Sequence, residues 1–440
     1  MTFDELQLNA QLLEGLDAMN FKQATPIQEQ TIPLILEGKD LLACAQTGTG
    51  KTAAYLLPVL NILCENKLPE DKINALIMVP TRELAQQIDQ QLEAFAYFVP
   101  VTSVAVYGGG DGQTFGQQQR AMQKGVDVVI ATPGRLIALL NMGHIDLSKV
   151  SFLILDEADR MLDMGFVDDI MRISSYLPAP GKRQTLLFSA TMAPKIEQLA
   201  KKVLFQPAEV KLSTSKPAEK IDQSAYICYE PQKLELIKDI LKSNTPEKVI
   251  VFSSSKQKVK EMYKTFRSLK VKVAAMHSDL DQKERDEVIR NFKNGHIQVL
   301  VATDIVARGI DIEDIDMVVN YDVPHDVEDY VHRIGRTARA NKGGVAITFV
   351  NEKDQFSFGQ IEKFIEREVR KSALPDALGA GPAYNPSKRF RGEGGGHGRP
   401  HGDPHRDRQS SDRKFHHRRP KRNTDSSGKR PQGGQHPAGA

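Results

Sequence analysis

The chain has 440 residues, a formal net charge of +3 and only three cysteines. That length exceeds one typical core and favours two domains plus an additional segment. Cys44, Cys64 and Cys228 form no C-x-x-C pair, which suggests neither a disulfide framework nor a zinc site; no apolar run nears the roughly 18 residues that span a bilayer, and no signal-peptide pattern opens the chain, so a soluble, reduced, cytoplasmic protein is expected.

In chain order, Leu41–Cys44 reads as a short apolar strand. It leads into Ala45-Gln46-Thr47-Gly48-Thr49-Gly50-Lys51-Thr52 and then a helical run through Leu57. Strand, small-residue loop, Lys-Thr and helix together describe a phosphate-binding loop. Backbone N–H groups at the helix start face an anion, Lys51 adds a positive charge, and the Thr52 hydroxyl can hold Mg²⁺. The first glycine of the general pattern is Ala45 here, and a Gly/Thr turn entering an ordinary helix is the plainer alternative. Pro58 falls inside that helix and should bend it.

Further apolar runs at 75–79, 127–131, 152–155 and 186–188 read as strands, as do those at 249–252, 271–276, 299–302, 317–319 and 345–350. Continuous Val/Ile/Leu runs suit parallel strands covered on both faces. Helical patterns lie between them, as in Leu84, Ile88, Leu92 and Phe95. The alternation pauses in the Lys/Ser/Thr/Pro-containing stretch near 206–223 and then restarts. This predicts an α/β chain of two domains, 1–206 and 222–370, joined by a linker at 207–221.

Residues 371–440 form the remaining segment. From Gly381 onward there are 14 Lys/Arg against 5 Asp/Glu, so a tail of about +9 follows a body of about −6. Rich in Gly, Pro, Ser, His and Arg and poor in apolar residues, the tail should be disordered. A basic tail of this kind suits nonspecific polyanion contact, most often with nucleic acid; a solubilising role is the alternative. Its histidines at 397, 401 and 405 are separated by Gly and Pro, which fix no metal geometry.

The strand at 152–155 runs into Asp156-Glu157-Ala158-Asp159. An acid at the end of a buried strand is where a Walker-B aspartate binds Mg²⁺, and Glu157 is placed to orient a water or accept its proton. Alone, such a cluster is more often a helix N-cap; beside Lys51-Thr52 the catalytic reading is favoured.

With 45–52, these four residues resemble the DEAD-box family of ATP-dependent RNA helicases in superfamily 2, whose own phosphate loop has Ala at the Ala45 position. The resemblance extends in order over about 3–345. It implies two tandem RecA-like domains with parallel β-sheets flanked by helices. Phe21-Lys22 with Thr25-Pro26-Ile27-Gln28 resembles the Q motif, in which Phe21 would stack on adenine and Gln28 would read its edge; the family usually has Gly where Asn20 stands. Pro80-Thr81-Arg82-Glu83-Leu84-Ala85, Gly108-Gly109 and Thr132-Pro133-Gly134-Arg135 resemble segments that hold the RNA backbone. Ser189-Ala190-Thr191 resembles the motif coupling hydrolysis to strand separation. Each has a plainer reading: Thr81, Thr132 and Ser189 or Thr191 could simply cap helices.

In the second half, residues 302–311 and 332–339 resemble further family motifs. The resemblance makes Arg336 and Arg339 arginine fingers, Asp311 a ribose contact, Thr303 an RNA contact and His332 a coupling residue. Gln282 and Arg285, with Val251-Phe252-Ser253-Ser254-Ser255, resemble RNA-facing segments. Ala338 stands where the family commonly has Gly, a substitution without cost if the backbone there is helical.

The implied function is an RNA-stimulated ATPase, using ATP and Mg²⁺, that locally separates or remodels RNA duplexes with little sequence preference. Lys51, Thr52, Asp156 and Glu157 lie on one domain and the arginines on the other, so cleft closure should complete the site. The alternatives are an ATP-gated RNA clamp or scaffold with little unwinding, and a DNA helicase of the same superfamily. The short core and basic tail look most like bacterial RhlE-type members, and ribosomal or mRNA-decay ribonucleoproteins are candidate partners.

Overall fold

The structure, a computed structural model, describes residues 1–45, 48–65, 69, 72–109, 112–212, 221–243, 246–303, 315–337 and 343–387. Fourteen strands among these residues form two sheets. The first contains β1 (Leu41–Cys44), β2 (Ala75–Met78), β3 (Ser103–Val106), β4 (Val128–Ala131), β5 (Phe152–Leu155), β6 (Gln184–Ser189) and β7 (Ala208–Lys211). The second contains β8 (Ile221–Ile227), β9 (Val249–Ser253), β10 (Val273–Met276), β11 (Val299–Thr303), β12 (Met317–Asn320), β13 (Gly344–Val350) and β14 (Arg370–Ser372). Every pairing between these strands is parallel.

The apolar runs form central strands because both their faces are covered. Successive side chains point to opposite faces of a strand, and here they enter different cores. Ala75, Ile77, Val128, Ile130, Phe152 and Ile154 face one core of the first lobe, while Leu76, Met78, Val129, Ala131, Leu153 and Leu155 face the other. The helix Arg82–Phe95 seals the first of these with Leu84, Ile88, Leu92 and Phe95, all buried as their spacing predicts.

The strand order is β3-β4-β2-β5-β6-β1-β7 in the first sheet and β10-β11-β9-β12-β13-β8-β14 in the second. Numbered within its own lobe, each reads third, fourth, second, fifth, sixth, first, seventh. The two lobes therefore share one RecA-like topology.

The structure differs from the sequence boundaries at both lobe ends. The predicted linker at 207–221 contains β7, which pairs with β1 at the edge of the first sheet, and the first residue of β8. The predicted tail begins inside β14, which pairs with β8. Residues beyond it also pack on the second lobe: Gln232 Nε2 donates to the Leu378 carbonyl at 2.7 Å, and Gln355 Nε2 to that of Ala383 at 2.9 Å. The tail expected to be disordered lies, from 388 onward, outside the described residues.

Pro58 does sit inside the helix Lys51–Glu65. Of the expected caps, Thr81 accepts from the Leu84 amide at 3.3 Å. Thr132 is an N-cap with no side-chain bond, and the helix Pro194–Val203 is preceded by Ala193 rather than by Ser189 or Thr191.

Candidate nucleotide site and nucleic-acid interface

In parallel sheets of this kind, ligands gather outside the carboxyl ends of the strands. Strand order divides that edge of the first lobe in two. Neighbouring β5, β6 and β1 end in Asp156-Glu157, Ser189 and the 45–52 loop; neighbouring β3, β4 and β2 lead to Gly108-Gly109, Thr132–Arg135 and Pro80–Arg82.

On the first half, Ala45 is buried and its amide donates to the Ser189 carbonyl at 3.0 Å, tying the loop's start to β6. Gln46 and Thr47 lie outside the described residues. Gly50 has φ +90°, where a side chain is strained, and a Cβ on it would come 2.5 Å from Gln28 Nε2. That close approach is used: Gln28 Nε2 donates to the Gly50 carbonyl at 3.1 Å, while Gln28 Oε1 accepts from the Thr25 amide at 2.9 Å. Gln28 therefore braces the loop, with one amide N–H left over. Phe21 is 42% exposed and stands edge-on to Phe95 at 5.7 Å between centroids. Asn20 has φ +60°, the left-handed region that Asn tolerates best after Gly, which explains its replacement of Gly.

Lys51 opens the helix after the loop, and its ammonium is buried without a hydrogen-bond partner. A buried unpaired cation is costly, so this one calls for an anion. Asp156, also buried, accepts from the Tyr55 hydroxyl at 2.9 Å on Oδ2 and from the Glu157 amide at 2.9 Å on Oδ1. Burial raises the Asp156 carboxyl above its ordinary range, and the charge of Lys51 opposes that rise. Tyr55, hydrogen-bonded to Thr52 as well, is pushed far up by burial and by Asp156. Glu157 Oε2 pairs with Arg160 Nη1 at 2.5 Å. Asp159 Oδ2 accepts the amides of Ala190 and Thr191 at 2.9 and 3.1 Å, so the acidic cluster is bonded directly to the Ser189–Thr191 turn. Ser189 Oγ donates to the Thr191 carbonyl at 2.7 Å.

The second lobe meets this half with His332, in the helix Val327–Ile334, and with buried Arg336 just after it. His332 lies within electrostatic range of Arg160, Glu157, Lys51 and Arg336. Burial pushes its imidazole down to about 3, with Arg160 adding to the effect, so it is neutral. Arg339, Asp311 and Ala338 lie outside the described residues.

On the other half, the lobes touch directly. Arg82 Nη2 bonds Asp286 Oδ2 at 3.1 Å, and Gln282 Nε2 donates to Glu83 Oε1 at 3.1 Å. Arg82 also lies over the Tyr107 ring at 5.0 Å, beside the Gly109 carbonyl. Arg135 donates to Gln118 Oε1 at 3.0 Å and lies over Phe115. Arg285 donates to the Ser278 carbonyl at 3.3 Å, and Thr303 ends β11 on the corresponding edge of the second lobe. Those predicted residues that the structure describes thus lie along two stretches of strand-end edge, one around Lys51 and one around Arg82. Sequence reasoning assigns no site role to Tyr55 or Asp286, whose contacts with Asp156 and Arg82 are made only by folding, nor to Arg160, which pairs with Glu157.

A phosphate loop on one lobe, and on the other a second RecA-like sheet carrying His332 and Arg336 to the same cleft, define a two-lobed nucleoside triphosphatase. The DEAD/DEAH box helicase family profile matches residues 25–199, and that of the helicase conserved C-terminal domain matches 232–341. The ATP-dependent RNA helicase CshA of Listeria monocytogenes is 41% identical over 374 residues, covering 85% of this chain and 70% of that protein. The DEAD-box ATP-dependent RNA helicase CshA of Geobacillus kaustophilus is 40% identical over 375 residues, covering 85% and 79%. Among solved structures, S. cerevisiae Dbp5 bound to RNA and ADP BeF3 matches with a TM-score of 0.74 and 34% identity, covering 84% of this chain and 95% of that one. Mss116p bound to ssRNA and AMP-PNP matches with a TM-score of 0.75 and 29% identity, covering 86% and 81%. The chain belongs to the DEAD-box family of ATP-dependent RNA helicases. An RhlE-type subgroup finds no support in these relatives. Among the described residues no helix is long and apolar enough to cross a membrane.

Proposed function

We propose that this helicase closes its two lobes on ATP and single-stranded RNA together, hydrolyses ATP in the closed cleft, and bends one RNA strand away from its partner. The observation that carries the reading is the buried, unpartnered Lys51 ammonium in the phosphate loop, met across the cleft by His332. Phe21 would stack on adenine, and the free N–H of Gln28 would read the base edge. Ala45, its amide bonded to the Ser189 carbonyl, would anchor the loop, while the amides of Gln46 to Thr52 and the Lys51 charge would hold the phosphates, and Asp311 the ribose.

Thr52 and Asp156 fit a divalent cation, since a buried carboxylate and a hydroxyl converge beside Tyr55. Mg²⁺ bound there would neutralise charge on the β- and γ-phosphates. Glu157 orients the attacking water and takes its proton. The water oxygen bonds to the γ-phosphorus, the bond from phosphorus to the bridging oxygen breaks, and ADP and phosphate leave. Arg336 and Arg339 offset the charge that spreads over the γ-phosphoryl oxygens.

Pro80, Thr81, Arg82, Gly108, Gly109, Thr132, Pro133, Gly134 and Arg135, with Gln282, Arg285 and Thr303, would grip phosphates and 2′-hydroxyls, which gives little sequence preference. Ser189 and Thr191, through Asp159, and His332 would couple the two halves of the cleft. The working units are a first lobe through residue 212, a second from 221 to 387, and the basic tail beyond it, which adds salt-sensitive RNA affinity. This reading fits a cytoplasmic protein acting on ribosomal or mRNA-decay ribonucleoproteins.

The test is ATP turnover with and without single-stranded RNA. Stimulation of at least about tenfold is expected from RNA, and little from DNA of equal length. No stimulation by RNA overturns the reading in favour of an ATP-gated clamp, and equal stimulation by DNA overturns the RNA specificity.

A further inference from the structure

Charge is unevenly spread over the second lobe. Residues 255–272 comprise a cap, the helix Lys256–Ser268 and the loop after it. They hold seven Lys/Arg against one acid, Glu261, in a body whose sum is about −6. The helix is seated by Val259, Met262 and Phe266, which enter the core, and is capped by Ser255, whose Oγ accepts the Lys258 amide at 3.2 Å. Lys256, Lys260, Lys264 and Arg267 recur at three- and four-residue spacing, so they share one exposed stripe beside that core face. Lys270 and Lys272, also exposed, prolong it past the helix end. Lys258 turns inward. Its Nζ pairs with Glu230 and Asp322, the two carboxylates that also answer fully buried Lys233 at 2.8 and 3.0 Å. Lys233 lies in the first turn of the helix after β8, as Lys51 does after β1, so the second lobe's counterpart of the triphosphate pocket is filled by its own side chains.

A run of charge is ordinarily a solvated face, and two observations set this one apart. The first is what it adjoins. Asp279, just beyond β10, bridges Lys256 Nζ at 2.8 Å and Lys260 Nζ at 2.7 Å. β10 is the outermost strand of its sheet, and Gln282 opens the helix that follows Asp279. The stripe therefore starts at the edge that carries Gln282 and Arg285, and the helix takes it about 20 Å down the side of the lobe. The second observation is what stays unanswered. His277, directly after β10, is 7% exposed and has no hydrogen-bond partner on Nδ1; Arg285 Nε is likewise buried without one. His277 lies within electrostatic range of Lys256, Lys260 and Arg285, so these nitrogens mark the junction between edge and stripe. Left unpaired they cost stability, which a ligand atom would restore. Farther along, among the described residues, no carboxylate pairs with Lys264, Arg267, Lys270 or Lys272.

We propose that this stripe is a track for single-stranded RNA that continues beyond the cleft, holding its phosphates from Lys256 to Lys272. The proposal rests on the reading that Gln282 and Arg285 grip RNA, and it carries the strand on to side chains outside the motif segments. Lys256, Lys260 and Lys264 recur about 6 Å apart along the helix axis, a ladder of like charge that a flexible polyanion can follow. Lysine offers a point charge on a flexible stem and reads no base edge, so the track adds affinity without adding sequence preference.

The test is equilibrium binding by the full chain, with a non-hydrolysable ATP analogue present, of two kinds of single-stranded RNA. One is the shortest oligonucleotide that fully stimulates turnover; the other carries roughly eight further nucleotides at its 5′ or its 3′ end. Lys264→Gln/Arg267→Gln/Lys270→Gln removes three exposed charges and keeps unbranched side chains that suit a helix. The short RNA should bind this variant within about twofold of native. RNA extended at one of its ends should bind the native chain more tightly than the short RNA does. The variant should lose that gain by about tenfold, with a salt slope shallower by about 2, at about 0.7 per phosphate contact. Lys264→Arg/Lys270→Arg, which keeps the charge, should retain the gain. A gain that survives in the triple variant overturns the proposal, as does its loss in the charge-keeping one. Equal weakening of short and extended RNA also overturns it, since that marks a diffuse field and not a track. If the native chain binds neither RNA, the RNA reading itself falls; if it binds both equally, the track alone falls.

Discussion

Glu157 holds its backbone in the left-handed region, with φ +50° and ψ +49°, immediately after the buried strand β5. For a residue with a Cβ that conformation costs about 1–2 kcal/mol, and such strain persists where the surrounding structure imposes it. Here the imposing contacts are the Glu157 amide bonded to Asp156 and the carboxylate paired with Arg160. Glu157→Gln keeps the size and removes the base. We expect ATP and RNA affinities within a few-fold of native, with RNA-stimulated turnover lower by roughly 10²–10⁴. Steady-state hydrolysis beside equilibrium binding checks this, and preserved turnover would take Glu157 out of the reaction. Lys51, Asp156 and Glu157 were legible because the phosphate loop and the strand-end acids are local patterns. Their supports were not. Tyr55 is 101 residues from the Asp156 it bonds, and Asp159 reaches the amide of Thr191 across 32.

The strands follow the same rule one level up. The central runs were readable because burial on both faces demands uninterrupted apolar residues. The four missed strands lack that signature. β3, β7 and β14 are edge strands with little burial, and β8 buries Gln223 and Ser224, the former accepting the Tyr330 hydroxyl at 3.0 Å. The segment after β14 reads as tail from its sequence, which is Gly- and Pro-containing. Yet Tyr384 meets Phe358 edge-on at 6.3 Å between centroids and bonds Glu362, and Lys371 lies 4.6 Å over the Tyr384 ring. Two truncations separate the parts. Removing 388–440 should leave the melting temperature within a few degrees and lower RNA affinity with a shallower salt dependence. Removing 373–440 should cost on the order of 2–4 kcal/mol, from a half-buried aromatic and several hydrogen bonds, and lower Tm by roughly 5–15 °C. Equal Tm values would return 373–387 to the tail.

Across the whole molecule, the contacts that span the cleft on the side away from Lys51 are polar and partly exposed: the Arg82 and Asp286 side chains keep 19% and 35% of their surface. An ion pair of that exposure contributes about 0.3–1 kcal/mol, so closure held by it is readily reversed. Asp286→Ala should therefore raise the RNA concentration for half-maximal hydrolysis by about two- to fivefold, with the difference shrinking at high salt. An unchanged or lower value would show that Asp286 does not favour the closed form.

The filled pocket of the second lobe sets a stoichiometry. A chain that repeats one strand order twice has two seats of the same pedigree, and Glu230 and Asp322 have permanently taken the second. With Glu230 and Asp322 answering Lys233, a second triphosphate would find no unpaired ammonium in that lobe, so one ATP bound per chain is expected, which equilibrium binding of a non-hydrolysable analogue checks.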